Sequence, residues 1–483
     1  MKQFIICLIF LFSLAAQMAR SADFYVDNMP YYIISHVAPS VKIAMETYED
    51  QNMNLSGDVV IPETVSHDGI NYTVTRIDGF SFGFCDRVTS WYIPKSVVSL
   101  GPLSSQVDIN VASDNPRYAS IDGILFNKNL TKLICYPINR KATSYTVPSS
   151  VQIIYTSAFH GCKFIEKIIL GNAVTEIQDM AFAGCNNLKE INLPTSLRAI
   201  GNAAFGYCRL QDIIIPAGLT TIGVGAFRSY WKINSISIPA SVTIIGEEAL
   251  NDCKSLYVVP ANRNYCTEGG VLFNKAKTSL IRYPICLKNN KYIVPATVKR
   301  IEKRAFSEAT FSSLILPSSL LSIGDEAFWG CTNFESMIIP QSLTWDGKYP
   351  FFRAWNSKTL KRIEVDPANT SFRSIDGVLY NKAATKLLCC PQGKAVGVFT
   401  VPSSVRRIDC SAFYENENLT KIILNQGLTE IGSYSFFGCS NLVEMNIPDT
   451  LKSIEDCAFG WTKLQLNLPS GIKLGNELFG RNQ

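Results

Sequence analysis

Apolar and polar residues alternate through short runs that end on a proline, and such runs recur along most of the chain. In Leu188-Lys189-Glu190-Ile191-Asn192-Leu193-Pro194, Ile191 and Leu193 fall on one face, Glu190 and Asn192 on the other. That alternation predicts a half-buried strand. Pro194 has no N–H to donate and stops the ladder. Leu197 and Ile200 return to the interior, and Gly201 is expected to allow a turn. Ala204-Phe205 follows, the Ala letting backbones approach and the Phe plugging the gap between neighbouring units.

The pattern has a period. Phe159, Phe182, Phe205, Phe227 and Leu250 are 23, 23, 22 and 23 residues apart, and further series run Phe306 to Phe328 and Phe413, Phe436, Phe459. A Pro stands ten residues before each Ala position, at Pro194, Pro216, Pro239, Pro317 and Pro448. The working unit is L-x-x-I-x-L-P-x-x-L-x-x-I-G-x-x-A-F-x-G-C-x-x, with about 13 Ala-Phe-like steps between Phe82 and Phe479. One such unit cannot bury its own apolar face, so units must stack. The expected fold is a solenoid of about 13 coils of 22–23 residues. It has a parallel β-sheet on one face and short strands, 3-10 turns and loops on the other.

A second element occurs three times, at 115–137, 262–284 and 369–391. Each copy has Gly 8 residues after its first Asn, Asn-Lys from 12, Thr at 16 and Pro at 22, and the Pro of a new coil 11 residues later. Two apolar runs around a short polar turn predict a β-hairpin. Residues 22–78 lack the period but contain strand-like runs, and are expected to form an N-terminal β cap over the open end of the array. The solenoid is then expected over 79–483.

The L-x-x-I-x-L-P…I-G-x-x-A-F-x-G-C unit resembles the leucine-rich repeat of the BspA-like bacterial surface family, over nearly the whole chain beyond the leader. It departs from commoner leucine-rich repeats in placing Pro where they carry Asn after the strand. Hairpins of the kind described also occur in that family. The resemblance implies a leucine-rich-repeat solenoid and a surface or secreted adhesin binding extracellular host proteins.

The first 21 residues add a location. Lys2, an apolar run from Phe4 to Ala16 and the small-x-small triplet Ala19-Arg20-Ser21 read as a signal peptide. Its loss takes the formal charge from +5 to +3. No later stretch is long and apolar enough to span a bilayer. The chain is therefore expected to be exported: secreted, held at the cell surface or periplasmic. There is no Lys/Arg block, which argues against nucleic acid as a partner.

Fifteen cysteines in an exported chain raise disulfides. Cys85, Cys162, Cys185, Cys208, Cys253, Cys331 and Cys439, however, share one repeat position, three after the Phe. Free Cys packs as a small apolar residue, and consecutive coils cannot all pair, so a buried free-thiol ladder is expected. Disulfides among the remaining cysteines, such as Cys389 or Cys390, stay open. Cys185→Ser is expected to cost about 1–3 kcal/mol by burying a hydroxyl without a partner.

Chemistry is sparse. His36, His67 and His160 have no metal-ligand spacing, and His160 is expected on a surface turn. No nucleophile elbow occurs. Gly223 to Arg228 resembles a phosphate loop but belongs to the repeat. The acid pairs Glu247-Glu248 and Asp325-Glu326 are expected as solvated turn residues. Asn-x-Ser/Thr triplets stand at Asn54, Asn71, Asn129, Asn369 and Asn418. The chain is read as no enzyme, with no cofactor or metal. The candidate partner-binding surface is the outward strand face: Lys167, Ile169, Glu190, Asn192, Asp212, Ile214, Ser313, Ile315, Ser336, Ile338, Lys421, Ile423, Glu444 and Asn446. Exposed Ile at positions where polar residues suit solvent suggests a protein ligand. The bland reading is the strand preference of β-branched residues. The alternative function is glycan or envelope binding within a surface carbohydrate-handling system, for which Trp231, Trp329, Trp345, Trp355 and Trp461 are the candidate rings.

Overall fold

The computed structural model describes residues 22–44, 55–78, 85, 87–101, 103, 105–229, 231–287, 289–344, 358–394 and 397–479. The expected signal peptide at 1–21, Phe82, Asn54, Trp345 and Trp355 lie outside the described residues. The chain divides into two compact units, Met1–Lys232 with Ile244–Ala249, and Ile233–Thr243 with Leu250–Gln483. Each is parallel β-solenoid, and no helix occurs among the described residues. The turns number about 16. That exceeds the about 13 coils expected from the sequence, because the third strand of each hairpin adds a turn to the parallel ladder.

One coil of the first unit shows how the sequence builds a turn. Glu190–Ile191 pairs in parallel with Lys167–Ile169, which pairs with Ser144–Thr146. After Pro194 the chain crosses to a second short strand, Ala199–Ile200, between Glu176–Ile177 and Thr221–Ile222. This second ladder is the longer one. In the first unit it joins eight strands, from Tyr118–Ile121 to Ile244–Ile245; in the second it forms ladders of five and seven strands. The L-x-x-I-x-L strands instead form sheets of two or three. A shortened coil accompanies two of the gaps between these sheets but does not by itself cause them, since the equally short Ala309-Thr310-Phe311 is followed by the strand Ser313–Ile315. Cys208-Arg209-Leu210 is a residue shorter than Cys185-Asn186-Asn187-Leu188, and the following Asp212–Ile215 is in no named strand. The same deletion at Thr462-Lys463-Leu464 precedes another stretch without a strand.

Inward side chains of the second ladder, Ile154, Ile177, Ile200 and Ile222, are fully buried. Gly201 does not take the left-handed conformation its turn was expected to need. Its role is close approach: a Cβ there would lie 2.6 Å from the backbone of Gln178 and Asp179.

The turn freedom sits elsewhere, at the residue before the Ala. Ser157, Met180, Ala203, Gly225 and Glu248 in the first unit, and Arg304, Glu326, Ser411, Tyr434 and Cys457 in the second, have φ between 49° and 60°. That conformation costs non-glycine residues about 1–2 kcal/mol. It aims the turn's N–H groups at the next coil. Met180 N donates to Asn202 O at 2.8 Å, and Phe182 N to Ala204 O at 2.8 Å, with equivalents along both units. The Ala-Phe turns thus carry a third backbone ladder.

The phenylalanines form stacked columns as well as plugs. Phe159, Phe182, Phe205 and Phe227 follow one another at 4.9, 5.3 and 5.4 Å between centroids, and Phe413, Phe436 and Phe459 at 5.1 and 5.7 Å. Each ring is buried, which stabilises by about 1.5–3 kcal/mol, with about 0.5–1.5 more per ring pair. The seven ladder cysteines are buried, and all described cysteines are free thiols.

Each hairpin closes through a two-residue turn in the left-handed region, Asp122-Gly123, Gly269-Gly270 or Asp376-Gly377, as a tight hairpin requires. A third strand, Lys132–Cys135 in the first copy, then joins the parallel ladder. The leading Asn of each copy is the fastener. Asn115 donates to Pro94 O and Val97 O of the preceding coil and accepts from the N–H groups of Arg117 and Tyr118. Asn262 and Asn369 repeat this set.

At the N-terminal end, Phe24–Val26, Met29–Ser35, Ser40–Ile43, Ile70–Ile77 and Thr64–His67 form a mixed sheet over a core that includes Tyr31, Val41, Val74 and Trp91. Parallel pairing already begins there, Gly57–Val60 with Val88–Ile93 and Ile70–Ile77 with Ser99–Leu100.

Candidate functional site

The outward strand face carries the candidate residues as the alternation implies. All fourteen are exposed or half-exposed, while the residues between them, such as Ile168, Leu314, Met337 and Ile422, are buried. Their chemistry falls into three groups.

The charged residues satisfy one another. Lys167 Nζ lies 2.7 Å from Glu190, and Lys421 Nζ 2.6 Å from Glu444, each across adjacent strands in register. Lys167 holds the Glu190 carboxyl below its ordinary range. Exposed, solvent-screened pairs of this kind add little to stability and leave the face close to neutral.

The two asparagines serve the fold. Asn192 accepts from Leu170 N at 2.7 Å and donates to Leu170 O at 3.0 Å. Asn446 does the same to Leu424, at 2.6 and 2.9 Å. Each carboxamide stands in for a missing strand partner, so neither is a free recognition group.

What remains is apolar. Ile214 is 86% exposed, in the stretch without a strand, beside Asp212, Arg209 and Gln211. This stretch and the Lys167–Ile169 and Glu190–Leu193 segments line an open groove of about 800 Å³. In the second unit, Ile315 and Ile338 are exposed in successive coils, and Ser313 and Ser336 stand at the equivalent positions two residues before them. The sequence reading missed Ile293, which is 59% exposed and pairs in register with Ile315. Its signal was present: Lys291-Tyr292-Ile293-Val294-Pro295 is the same strand-Pro run. Ile293 and Ile315 form one column, Ile338 (63% exposed) holds the equivalent repeat position in the next coil, and all three are open to solvent. Ile169 and Ile423 are exposed in the same sense.

Glu248 and Glu326, read as solvated, are largely buried: Glu248 lies 3.3 Å from Arg228, and Glu326 is ion-paired with Arg304. A carboxylate whose backbone is turned left-handed before the Ala reaches back to an Arg of the preceding coil. His160 lies in a turn but is half-buried, and burial holds its pKa below the ordinary value. Gly223 to Arg228 is an Ala-Phe turn. No group of three or more His, Cys, Asp or Glu residues suited to a metal occurs among the described residues, nor does any helix long and apolar enough to cross a membrane. Trp231 lies under Arg209 and Trp329 under Arg304, as cation–π pairs at 4.6 and 5.2 Å.

The family model for the BspA type leucine rich repeat region matches residues 135–263, 282–377 and 392–483, in six copies. Among solved structures, a leucine-rich repeat protein from Eubacterium ventriosum ATCC 27560 is 23% identical, over 76% of this chain and 92% of that one, with a TM-score of 0.50. A leucine rich cell surface protein from Faecalibacterium prausnitzii A2-165 is 20% identical over 89% and 96% of the two chains, with a TM-score of 0.39. The pneumococcal vaccine antigen PcpA is 19% identical over 93% and 92%, also with a TM-score of 0.39. No curated protein matches the chain. The first of these structures has the same fold, and the family model covers well over half of the residues. With the repeated strand-Pro, Ala-Phe and Cys positions accounted for coil by coil, the chain belongs to the BspA-type leucine-rich-repeat family.

Proposed function

We propose that this chain is a non-enzymatic protein, exported and secreted or held at the cell surface, that binds extracellular host proteins through its outward strand face. One observation carries the reading: Ile293, Ile315 and Ile338 stand open to solvent at equivalent positions of successive coils. Exposed apolar residues grouped on one face favour a protein ligand. The neutralised pairs Lys167–Glu190 and Lys421–Glu444 lower the charge that would have to be desolvated. The family's surface role supports the location. The test is binding of the full chain to immobilised extracellular-matrix proteins, with Ile315→Lys/Ile338→Lys as the variant. Loss of binding with an unchanged melting temperature is expected. Unchanged binding by the double variant would remove the strand face from the reading.

Glycan or envelope binding is the second reading, and an aromatic row supports it. The Phe437 ring lies 5.6 Å from Tyr414, 5.6 Å from Tyr434 and 6.0 Å from Trp461, which is half exposed. Binding on a glycan array that is lost in Trp461→Ala would favour it.

A further inference from the structure

Beside the first hairpin lies a pocket of about 490 Å³, within the range of about 300–1,000 Å³ common for small-molecule sites. Arg117, Lys128 and Lys132 line it with Asn129, Tyr118 and Tyr155, and among the described residues no Asp or Glu does. Lys128 Nζ donates to the Ser113 carbonyl. Arg117 and Lys132 make no ion pair with any described residue. The Asn129 carboxamide oxygen accepts from the Thr131 hydroxyl, which leaves its NH2 group to the pocket. Along the ladder the next carboxylate is Glu176, beyond Ile153, and it accepts from the Gln178 amide. The wall therefore offers donors and positive charge without a counter-charge.

The other two hairpins supply the control. Their backbone and fasteners are the same: Asn127, Asn274 and Asn381 each accept from the N–H five residues on. Lys128, Lys275 and Lys382 each reach back to a carbonyl fifteen residues earlier. Yet Arg117 is replaced by Asn264 and Ser371, and Lys132 by Ser279 in the second hairpin, while the third keeps a lysine there, Lys386. Where the first hairpin has Tyr155, two residues beyond the strand partner of Lys132, the others have Glu302 and Asp409. In the third, Asp409 accepts from Arg407. The hairpin therefore folds without Arg117 and without Tyr155, and elsewhere it places a carboxylate in the region left cationic here. These residues are surplus to folding.

A lining rich in cationic donors calls for a ligand rich in acceptors, and an arginine matches a planar or forked oxyanion such as a carboxylate or sulfate. Two tyrosine rings and the apolar Val98 and Pro116 beside the cations suit a ring with apolar C–H faces rather than a flexible acidic side chain. We propose that this pocket binds an anionic sugar unit, bearing a carboxylate or a sulfate, of an acidic polysaccharide. It uses none of the residues of the strand face or the aromatic row, so its failure leaves both readings standing.

The experiment is calorimetry on the full chain with four probes: an oligogalacturonate, a heparin-derived hexasaccharide, a neutral dextran oligomer and poly-glutamate. The variant is Arg117→Asn/Lys132→Ser, the residues with which the second hairpin already folds. A second variant, Lys452→Ala/Lys473→Ala, removes the same charge elsewhere. One or both acidic sugars should bind; the first variant should lose at least tenfold in affinity and the second nothing. Oligogalacturonate alone would assign a carboxylate, and the heparin fragment alone a sulfate. The proposal falls if neither acidic sugar binds, if both variants behave alike, if dextran binds as well, or if poly-glutamate binds as tightly as the sugars.

Discussion

The Sγ of Cys185 lies 3.0 Å from the carbonyl oxygen of Phe159, one coil earlier. Cys208 stands 3.1 Å from Phe182 O, and Cys331 and Cys439 each 3.0 Å from the carbonyls of Phe306 and Phe413. The thiol is therefore a donor as well as a filler. It ties the Phe of one coil to the Cys of the next. The expectation that a hydroxyl at this place would lack a partner is corrected by that acceptor.

Cys185→Ser should accordingly be milder than Cys185→Ala. The hydroxyl keeps the bond to Phe159 O, and one such bond is worth about 1 kcal/mol. Denaturant unfolding of both variants measures the difference. Equal losses would show that volume alone fills this position.

Met180 holds a φ of 57° so that its N–H can meet Asn202 O. Met180→Gly relieves a left-handed cost of about 1–2 kcal/mol against a glycine entropy cost of about 0.5–1. The variant should match or exceed the parent, by up to about 1.5 kcal/mol. Met180→Val, β-branched at a positive φ, should fall well below it. Thermal melts of the three proteins rank them.

Asn369 is buried and uses both ends of its carboxamide, donating to Pro340 O and Leu343 O and accepting from the N–H groups of Ser371 and Phe372. A carboxylate cannot donate, so Asn369→Asp should cost about 1–3 kcal/mol for each carbonyl left unpaired. The same burial bears on glycosylation. In a host that modifies Asn-x-Ser/Thr, Asn369 should stay bare while the exposed Asn71 and Asn129 remain open to it. Peptide mapping by mass spectrometry decides this.

Arg407 joins three acids of its ladder, Asp409, Glu430 and Glu455, at 3.3, 2.5 and 2.9 Å. Burial alone would raise the Glu455 carboxyl. Arg407 and the N–H and hydroxyl of Ser433 outweigh it and hold the group below its ordinary 4.5. A folded-state pKa below the unfolded one gives stability that is present above about 4.5 and lost as the pH falls through the folded value. Glu455→Gln should therefore lose less of its unfolding midpoint than the parent on acidification from about pH 5 to 3. Parallel acid titrations followed by circular dichroism test the sign.

Much of the fold was legible in the chain because a repeat states its rule many times. Ile191 against Glu190, Pro194 as a stop, Phe182 above Phe159 and the free thiols at Cys162, Cys185 and Cys208 all follow from spacing. The candidate face was legible as a surface but not as a site. Alternation tells which way Asn192 and Glu190 point; it does not tell that Asn192 bonds to Leu170 or that Glu190 is neutralised by Lys167. Ile293 was missed although its strand-Pro run was there.

By itself the sequence determined the period, the inward and outward alternation and the points where hairpins enter. These are local properties, fixed by side-chain polarity and by turn residues such as Asp122-Gly123. Only the stacking decided the rest. The left-handed residue before each Ala, the approach of Gly201 to Asp179 and the bond from Cys185 to Phe159 all depend on what the neighbouring coil presents about 4.8 Å away. Among the described residues the cations Arg117 and Lys132 make no ion pair, for the same reason: the next coil of the ladder places Ile153 and Tyr155 beside them where the sister hairpins place Arg and an acid. Partners one turn apart are more than twenty residues apart in the chain, and no local pattern records which of their groups will meet.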